Sequence, residues 1–204
     1  MAIASETIQI VADALGLEAP TVRSYFREIQ KAGLIAKGGR GRAAEHFSPA
    51  DTARIVITLM GANSLAEAPS IVRLLGGTRC PIPGERGRPD RQYRFDEVLG
   101  ELFEWAAGVE LDDTALHHFD LGVLDDKTLV EVRVMSTDLV AEVYIDDQLS
   151  MRFRPVHPVP EPADTAQAAI QRRLIDRVDG SRMRTTQSID QDVIRRIASG
   201  LPGS

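Results

Sequence analysis

Apolar side chains recur along this chain first at helical and later at strand spacing. Over Thr7–Leu15, Ile8, Val11, Ala12 and Leu15 fall at i, i+3, i+4 and i+7, the stripe of a half-buried helix, with Ser5 placed to cap it and Gly16 to end it. Leu17-Glu18-Ala19 makes a tight connection, and Pro20 suits the first turn of a second helix, where its missing N–H costs nothing. From Pro20 to Ala32, Val22, Tyr25, Phe26 and Ile29 share one face, Arg23, Ser24, Arg27, Gln30 and Lys31 lie largely elsewhere, and Gly33 supplies the stop. Leu34-Ile35-Ala36 extends as a strand, Lys37 to Arg42 forms a glycine-rich basic tip, and Ala43 to Phe47 returns as the partner strand. Ser48-Pro49 with Asp51 opens a helix through Met60, and Pro69 to Leu75 is one short helix more.

Residues 76–94 break regular structure repeatedly, through Gly76-Gly77, Pro81, Pro83, Gly84, Gly87 and Pro89. Tyr93 to Ala107 is helical again, with Phe95, Val98, Leu99, Leu102, Phe103 and Ala106 on a stripe. The period then drops to two over Thr128–Met135, Leu139–Ile145 and Leu149–Phe153, with Ser136 to Asp138 and Asp146 to Gln148 as turns, the pattern of an antiparallel meander. Prolines between Pro155 and Pro162 end the sheet. Asp164–Val178 and Ile189–Ala198 are candidate helices, and residues 200–204 read as a frayed end.

The pattern predicts an α+β chain. A winged helix-turn-helix domain spans residues 1–75 and a Gly/Pro/Arg-rich linker spans 76–92. An acidic helix plus antiparallel sheet follows at 93–160, for oligomerisation or partner docking, and a basic helical tail at 161–204. With 204 residues there is room for one large or two small domains at about 100–200 residues each. Aromatic content of 5% against 43% hydrophobic residues makes the core mainly aliphatic.

Charge changes the picture by its distribution. The formal net charge of −6 argues against a nucleic-acid partner until it is mapped along the chain. Between Thr21 and Ala44 stand six basic residues (Arg23, Arg27, Lys31, Lys37, Arg40, Arg42) and one acid, Glu28. From Asp96 to Asp126 there are ten acids and no Lys or Arg. Such a split fits a phosphate-binding head on a separate acidic body.

The run Thr21-Val-Arg-Ser-Tyr-Phe-Arg-Glu-Ile-Gln-Lys-Ala-Gly-Leu-Ile35 resembles the recognition-helix segment of bacterial winged helix-turn-helix regulators, over about residues 5–60. Thr21-Val22-Arg23 with Tyr25, a basic wing, and Phe47-Ser48-Pro49 with Asp51 also resemble the MerR family in part. The stretch Thr21–Gly33 is about one helical turn longer than in that family, and no long coiled coil follows. The winged-helix plan therefore carries over, but not a metal- or drug-sensing role. The resemblance implies that Thr21, Arg23, Ser24, Arg27 and Lys31 face the major groove of double-stranded DNA or its flanking phosphates. It also puts Arg40 and Arg42 at the wing tip, reaching backbone or minor groove, and gives Lys37 a phosphate contact. Changing Arg40 and Arg42 together should weaken binding to all sequences, whereas changing Arg23 or Arg27 should alter sequence preference.

The sequence-level expectation is a sequence-specific DNA-binding protein, a transcription regulator of bacterial or phage type acting as a homo-oligomer. Two alternatives stand beside it. One is a packaging or assembly component with the layout of small terminase subunits; the other is an adaptor that uses the helical head as a protein interface. The acidic middle is a candidate docking surface for a protein partner.

No catalytic residue, metal site or cofactor is expected, and the chain is not read as an enzyme. His117-His118 with Asp120 lack a third ligand at spacing. Asp112, Asp113, Asp125 and Asp126 lack calcium-loop spacing, and the Gly-rich stretches lack a following Gly-Lys-Ser/Thr. Cys80 is the single cysteine, no apolar run approaches the roughly 20 residues of a membrane span, and the start has no secretory pattern, so no membrane is expected and the cytoplasm is the expected location.

Overall fold

The computed structural model describes residues 4–35, 47–81, 92–109, 128–136, 138–155, 162, 164–180 and 186–201. Within them the chain is mixed helix and sheet. The helices are α1 (Ala4–Leu15), α2 (Ala19–Lys31), α3 (Pro49–Gly61), α4 (Ala68–Ile71), α5 (Phe95–Ala106), α6 (Thr165–Gly180) and α7 (Gln191–Ser199). The strands are β1 (Arg79–Pro81), β2 (Gln92–Arg94), β3 (Val130–Met135), β4 (Val140–Ile145), β5 (Gln148–Phe153) and β6 (Thr186–Asp190).

The helix α3 is the centre. Its run Ala53-Arg-Ile-Val-Ile-Thr-Leu-Met60 is apolar nearly all round, and a helix of that kind is enclosed by its neighbours. Ile55, Val56 and Ile57 are fully buried on successive faces. Ser48 and Asp51 start it with reciprocal bonds: the Asp51 N–H donates to Ser48 Oγ at 3.1 Å and the Ser48 N–H to Asp51 Oδ2 at 3.3 Å. Gly100 lets α5 lie directly on this start, since a Cβ there would sit 3.0 Å from the Ala50 nitrogen.

β1 and β2 form a two-stranded antiparallel sheet, and β5-β4-β3-β6 a four-stranded one, antiparallel throughout. Val130, Val132 and Val134 of β3, Ala141 and Val143 of β4, and Ile189 of β6 bury one face of the larger sheet. Phe153 of β5 meets Phe95 of α5 with ring centroids 5.3 Å apart. Paired backbone bonds between Arg79 and Arg154, 2.8 and 3.0 Å, join the small sheet to the end of β5. At the other end of the chain α7 lies on both α1 and α5, and Gly200 abuts Ile10 so closely that a Cβ would come within 2.5 Å of its Cδ1. One continuous core thus includes Val11 of α1, Ile29 of α2, Ile55 of α3, Leu99 of α5, Val132 of β3 and Ile197 of α7.

Several sequence expectations are corrected. Residues 76–94 are not irregular throughout, because Arg79–Pro81 pairs with Gln92–Arg94; hence the following helix starts at Phe95 rather than Tyr93. The short helix expected at Pro69–Leu75 is present, as four α-helical residues, Ala68–Ile71, continued by a π-helical turn, Val72–Gly76. Leu34 and Ile35 bend instead of extending as a strand. The tail is not purely helical: Thr186–Asp190 adds an edge strand beside β3, so α7 begins at Gln191 and not Ile189. Leu201, expected in a frayed end, is 7% exposed.

Candidate nucleic-acid interface

Two glycine-terminated turns fix the orientation of α2. At the end of α1, Gly16 takes φ 66°, and the Leu17 N–H returns to the Ala12 carbonyl at 2.9 Å. At the end of α2, Gly33 takes φ 69°, with Gly33 N–H donating to Gln30 O at 3.0 Å and Leu34 N–H to Ile29 O at 3.0 Å. A side chain at either glycine would strain this left-handed backbone. Between the turns, Val22 and Ile29 are fully buried and Phe26 nearly so, packed edge-on to Phe47 at 5.4 Å. Each such buried side chain contributes roughly 1.5–3 kcal/mol.

The opposite face carries the polar residues. At about 100° per residue, Ser24, Arg27 and Lys31 share the outward stripe, with Arg23 on one flank and Thr21 on the other. Thr21, Arg23, Arg27 and Lys31 are exposed and Ser24 is half-buried. The five do not stand alike. Ser24 Oγ donates to the Pro20 carbonyl at 2.9 Å, and Lys31 Nζ bonds Glu28 at 2.7 Å, a pair open to solvent and easily exchanged. Arg23 and Arg27 make neither hydrogen bond nor ion pair within the described residues. The structure therefore brings Thr21, Arg23, Ser24, Arg27 and Lys31 onto one exposed helix surface, while Lys37, Arg40 and Arg42 lie outside the described residues. So do His117, His118, Asp120 and the carboxylates Asp112, Asp113, Asp125 and Asp126.

Behind this surface lies an ionic cluster that sequence reasoning missed. Asp96, fully buried at the start of α5, accepts from Arg54 Nε at 2.9 Å and from Arg94 Nε and Nη2 at 3.0 and 2.8 Å. Arg54 Nη1 reaches back to the Leu34 carbonyl at 3.0 Å and to Asp51 Oδ1 at 3.3 Å. The signal was a lone arginine within the apolar run of α3. A half-buried charge there gains from a partner, but nothing local says which.

On the far side, the sheet's outer face joins opposite charges among themselves. Arg133 donates to Glu131 at 2.6 Å and lies 4.1 Å from the centroid of the Tyr144 ring. Tyr144 donates to Glu142 at 2.8 Å, and Arg152 Nε to Glu142 at 2.6 Å. The Arg133 hydrogen bond holds the Glu131 carboxyl below its ordinary range, and the bond to Glu142 pushes the Tyr144 phenol up. Burial pushes the Cys80 thiol up, so it is a poor nucleophile. Among the described residues no group of three His, Cys, Asp or Glu is placed to hold a metal ion, and no helix is long and apolar enough to cross a membrane.

No family of known proteins, no curated protein and no solved structure matches this chain.

Proposed function

We propose that the chain is a sequence-specific DNA-binding protein, a transcription regulator that acts as a homo-oligomer and reads DNA through a winged helix-turn-helix in residues 1–75. The observation that carries this reading is the division of α2. An apolar face rigidly seated by Val22, Phe26 and Ile29 backs an exposed face on which Arg23 and Arg27 have no partner among the described residues. Thirteen residues make a helix about 20 Å long, enough to lie in one major groove. Arg23 and Arg27 are the base-reading candidates, with Thr21 and Ser24 as shorter donors. Lys31 exchanges Glu28 for a phosphate, and Lys37, Arg40 and Arg42 add backbone or minor-groove contacts. One such helix reads few base pairs, so two heads about one duplex turn apart, roughly 34 Å, supply the rest of the affinity.

The test is binding of the purified full chain to a pool of short random duplexes at low and moderate salt, with its mass measured by light scattering. Salt-sensitive binding with sequence enrichment, by a dimer or small oligomer, is the expected result. Unselective binding by a large ring contradicts the regulator reading in favour of packaging. No binding at any salt overturns the DNA reading and leaves α2 as a protein interface.

A further inference from the structure

A cleft of about 370 Å³ opens at one end of the larger sheet, where β3, the β4–β5 turn and the start of α7 meet. Four of its lining side chains are carboxylates: Glu131 of β3, Asp147 of the turn, and Asp190 and Asp192 at the start of α7. Against them stands the single guanidinium of Arg195. Local structure accounts for part of this excess. Asp190 Oδ1 caps α7 by accepting the Val193 N–H at 3.0 Å, Asp192 suits the first turn of a helix, and Glu131 accepts from Arg133 at 2.6 Å. It accounts for neither Asp147 nor Gln191. In the turn, Asp146 accepts the Leu129 N–H at 3.0 Å, whereas the Asp147 carboxylate makes no bond among the described residues. Gln191 is the more telling. It lines the cleft, is only 7% exposed, and its Oε1 is buried with no hydrogen-bond partner among the described residues. An orphan acceptor so enclosed is destabilising until a donor reaches it.

We propose that this cleft binds an aliphatic di- or polyamine, its ammonium groups held by Asp147, Asp192 and the Gln191 carbonyl and its methylene chain laid along Leu129 and Tyr144. The excess of acceptors selects a cation, and their spacing selects which kind. Among the described residues no three His, Cys, Asp or Glu converge on one point as a metal ion requires. Acceptors spread along a cleft instead match a ligand whose N–H donors are themselves spread. The remaining lining, Leu129, Val130 and the Tyr144 ring, is largely apolar and suits the methylenes between those donors. Leu129, 59% exposed, is an apolar surface that such a chain would cover. The volume is within the range of small-molecule sites. None of the lining residues belongs to α1, α2 or α3, so the site stands independently of the DNA-binding reading.

The experiment titrates spermidine into the full chain by calorimetry, without DNA and at low salt, and repeats the titration with magnesium at matched ionic strength. Saturable binding of one spermidine per chain is expected, with no comparable binding of magnesium. Asp147→Asn/Asp192→Asn should weaken spermidine binding about ten-fold. Both positions are exposed and asparagine suits the left-handed backbone at 147, so this variant keeps its fold. Gln191→Met should weaken binding about three- to ten-fold while leaving thermal stability equal or higher, since it removes an acceptor that has no donor among the described residues. As the control, Asp13→Asn/Glu18→Gln removes the same charge from exposed positions on the far side of the chain's helical head and should change affinity by less than about two-fold. Several outcomes overturn the site: no spermidine binding, magnesium bound as tightly, equal weakening by the two acidic pairs, or affinity unchanged by the cleft variants. Each leaves the DNA-binding reading as it stands, because the titration contains no duplex and touches no residue of α2.

Discussion

On the outer face of the sheet, Arg133 and Arg152 lie against Glu131, Tyr144 and Glu142, each cation matched by a carboxylate within 2.6 Å. On the outer face of α2, Arg23 and Arg27 stand exposed with no such match among the described residues. Both surfaces are rich in charge, and both ride on elements whose other face is fully buried. The difference is commitment. A cation already bonded within its chain must give up that bond before it can serve a ligand, whereas an unpaired one on a rigid helix loses only water and side-chain freedom. Arg54 and Arg94 take commitment furthest, since they neutralise a fully enclosed Asp96, and the Arg54 bond ties α3 to α5. Charge on this molecule therefore does two jobs, internal stapling and, in the reading proposed, external recognition.

Substitutions at the two kinds of site should separate stability from binding. The largest stability effect is expected at the staple: Asp96→Ala leaves two guanidinium groups facing an emptied site and should cost on the order of 3–5 kcal/mol, read by denaturant unfolding. Next, Arg23→Ala or Arg27→Ala should cost about 1–3 kcal/mol in binding to the preferred duplex while changing folding stability by less than about 0.5 kcal/mol. A variant that loses both together would erase the distinction between the surfaces. Arg152→Ala should do the reverse, removing about 1–2 kcal/mol of stability because Glu142, 5% exposed, loses a donor, with DNA affinity unaltered.

The smallest effect is in the pH dependence. Arg133 depresses the Glu131 carboxyl, so its contribution is fully present above the unfolded value of about 4.3 and is lost as pH falls through the lower folded value. Glu131→Gln should accordingly lower the plateau above pH 6 slightly and flatten the acid limb of a stability–pH curve, the two chains converging at low pH. Equal steepness in both chains would show that the Arg133 bond is not what sets the Glu131 carboxyl.

What the sequence disclosed follows the range of the interactions. α1 and α2 are legible because glycine stops and a clean apolar period are local features; of the four inner residues expected on α2, Val22, Phe26 and Ile29 are buried and Tyr25 is half-buried. The alternation of β3 and β4 survives intact, with Val130, Val132 and Val134 facing Ile145, Val143 and Ala141 in register. β6 was hidden because an edge strand needs few apolar anchors: in Thr-Gln-Ser-Ile-Asp only Ile189 is buried, and it reads equally well as the first turn of the next helix. β1 and β2 were hidden by their length, three residues each beside prolines and glycines. The Arg54–Asp96 bond spans 42 positions, and no local periodicity carries such a pairing.

The most direct test of the central claim is duplex selection performed side by side with the wild-type chain, Arg27→Ala and Arg152→Ala. Wild type and Arg152→Ala should enrich the same sequence with the same salt dependence, while Arg27→Ala should lose preference at particular base positions. Identical enrichment in all three, or no enrichment by the wild type, would contradict the assignment of α2 as the surface that reads DNA.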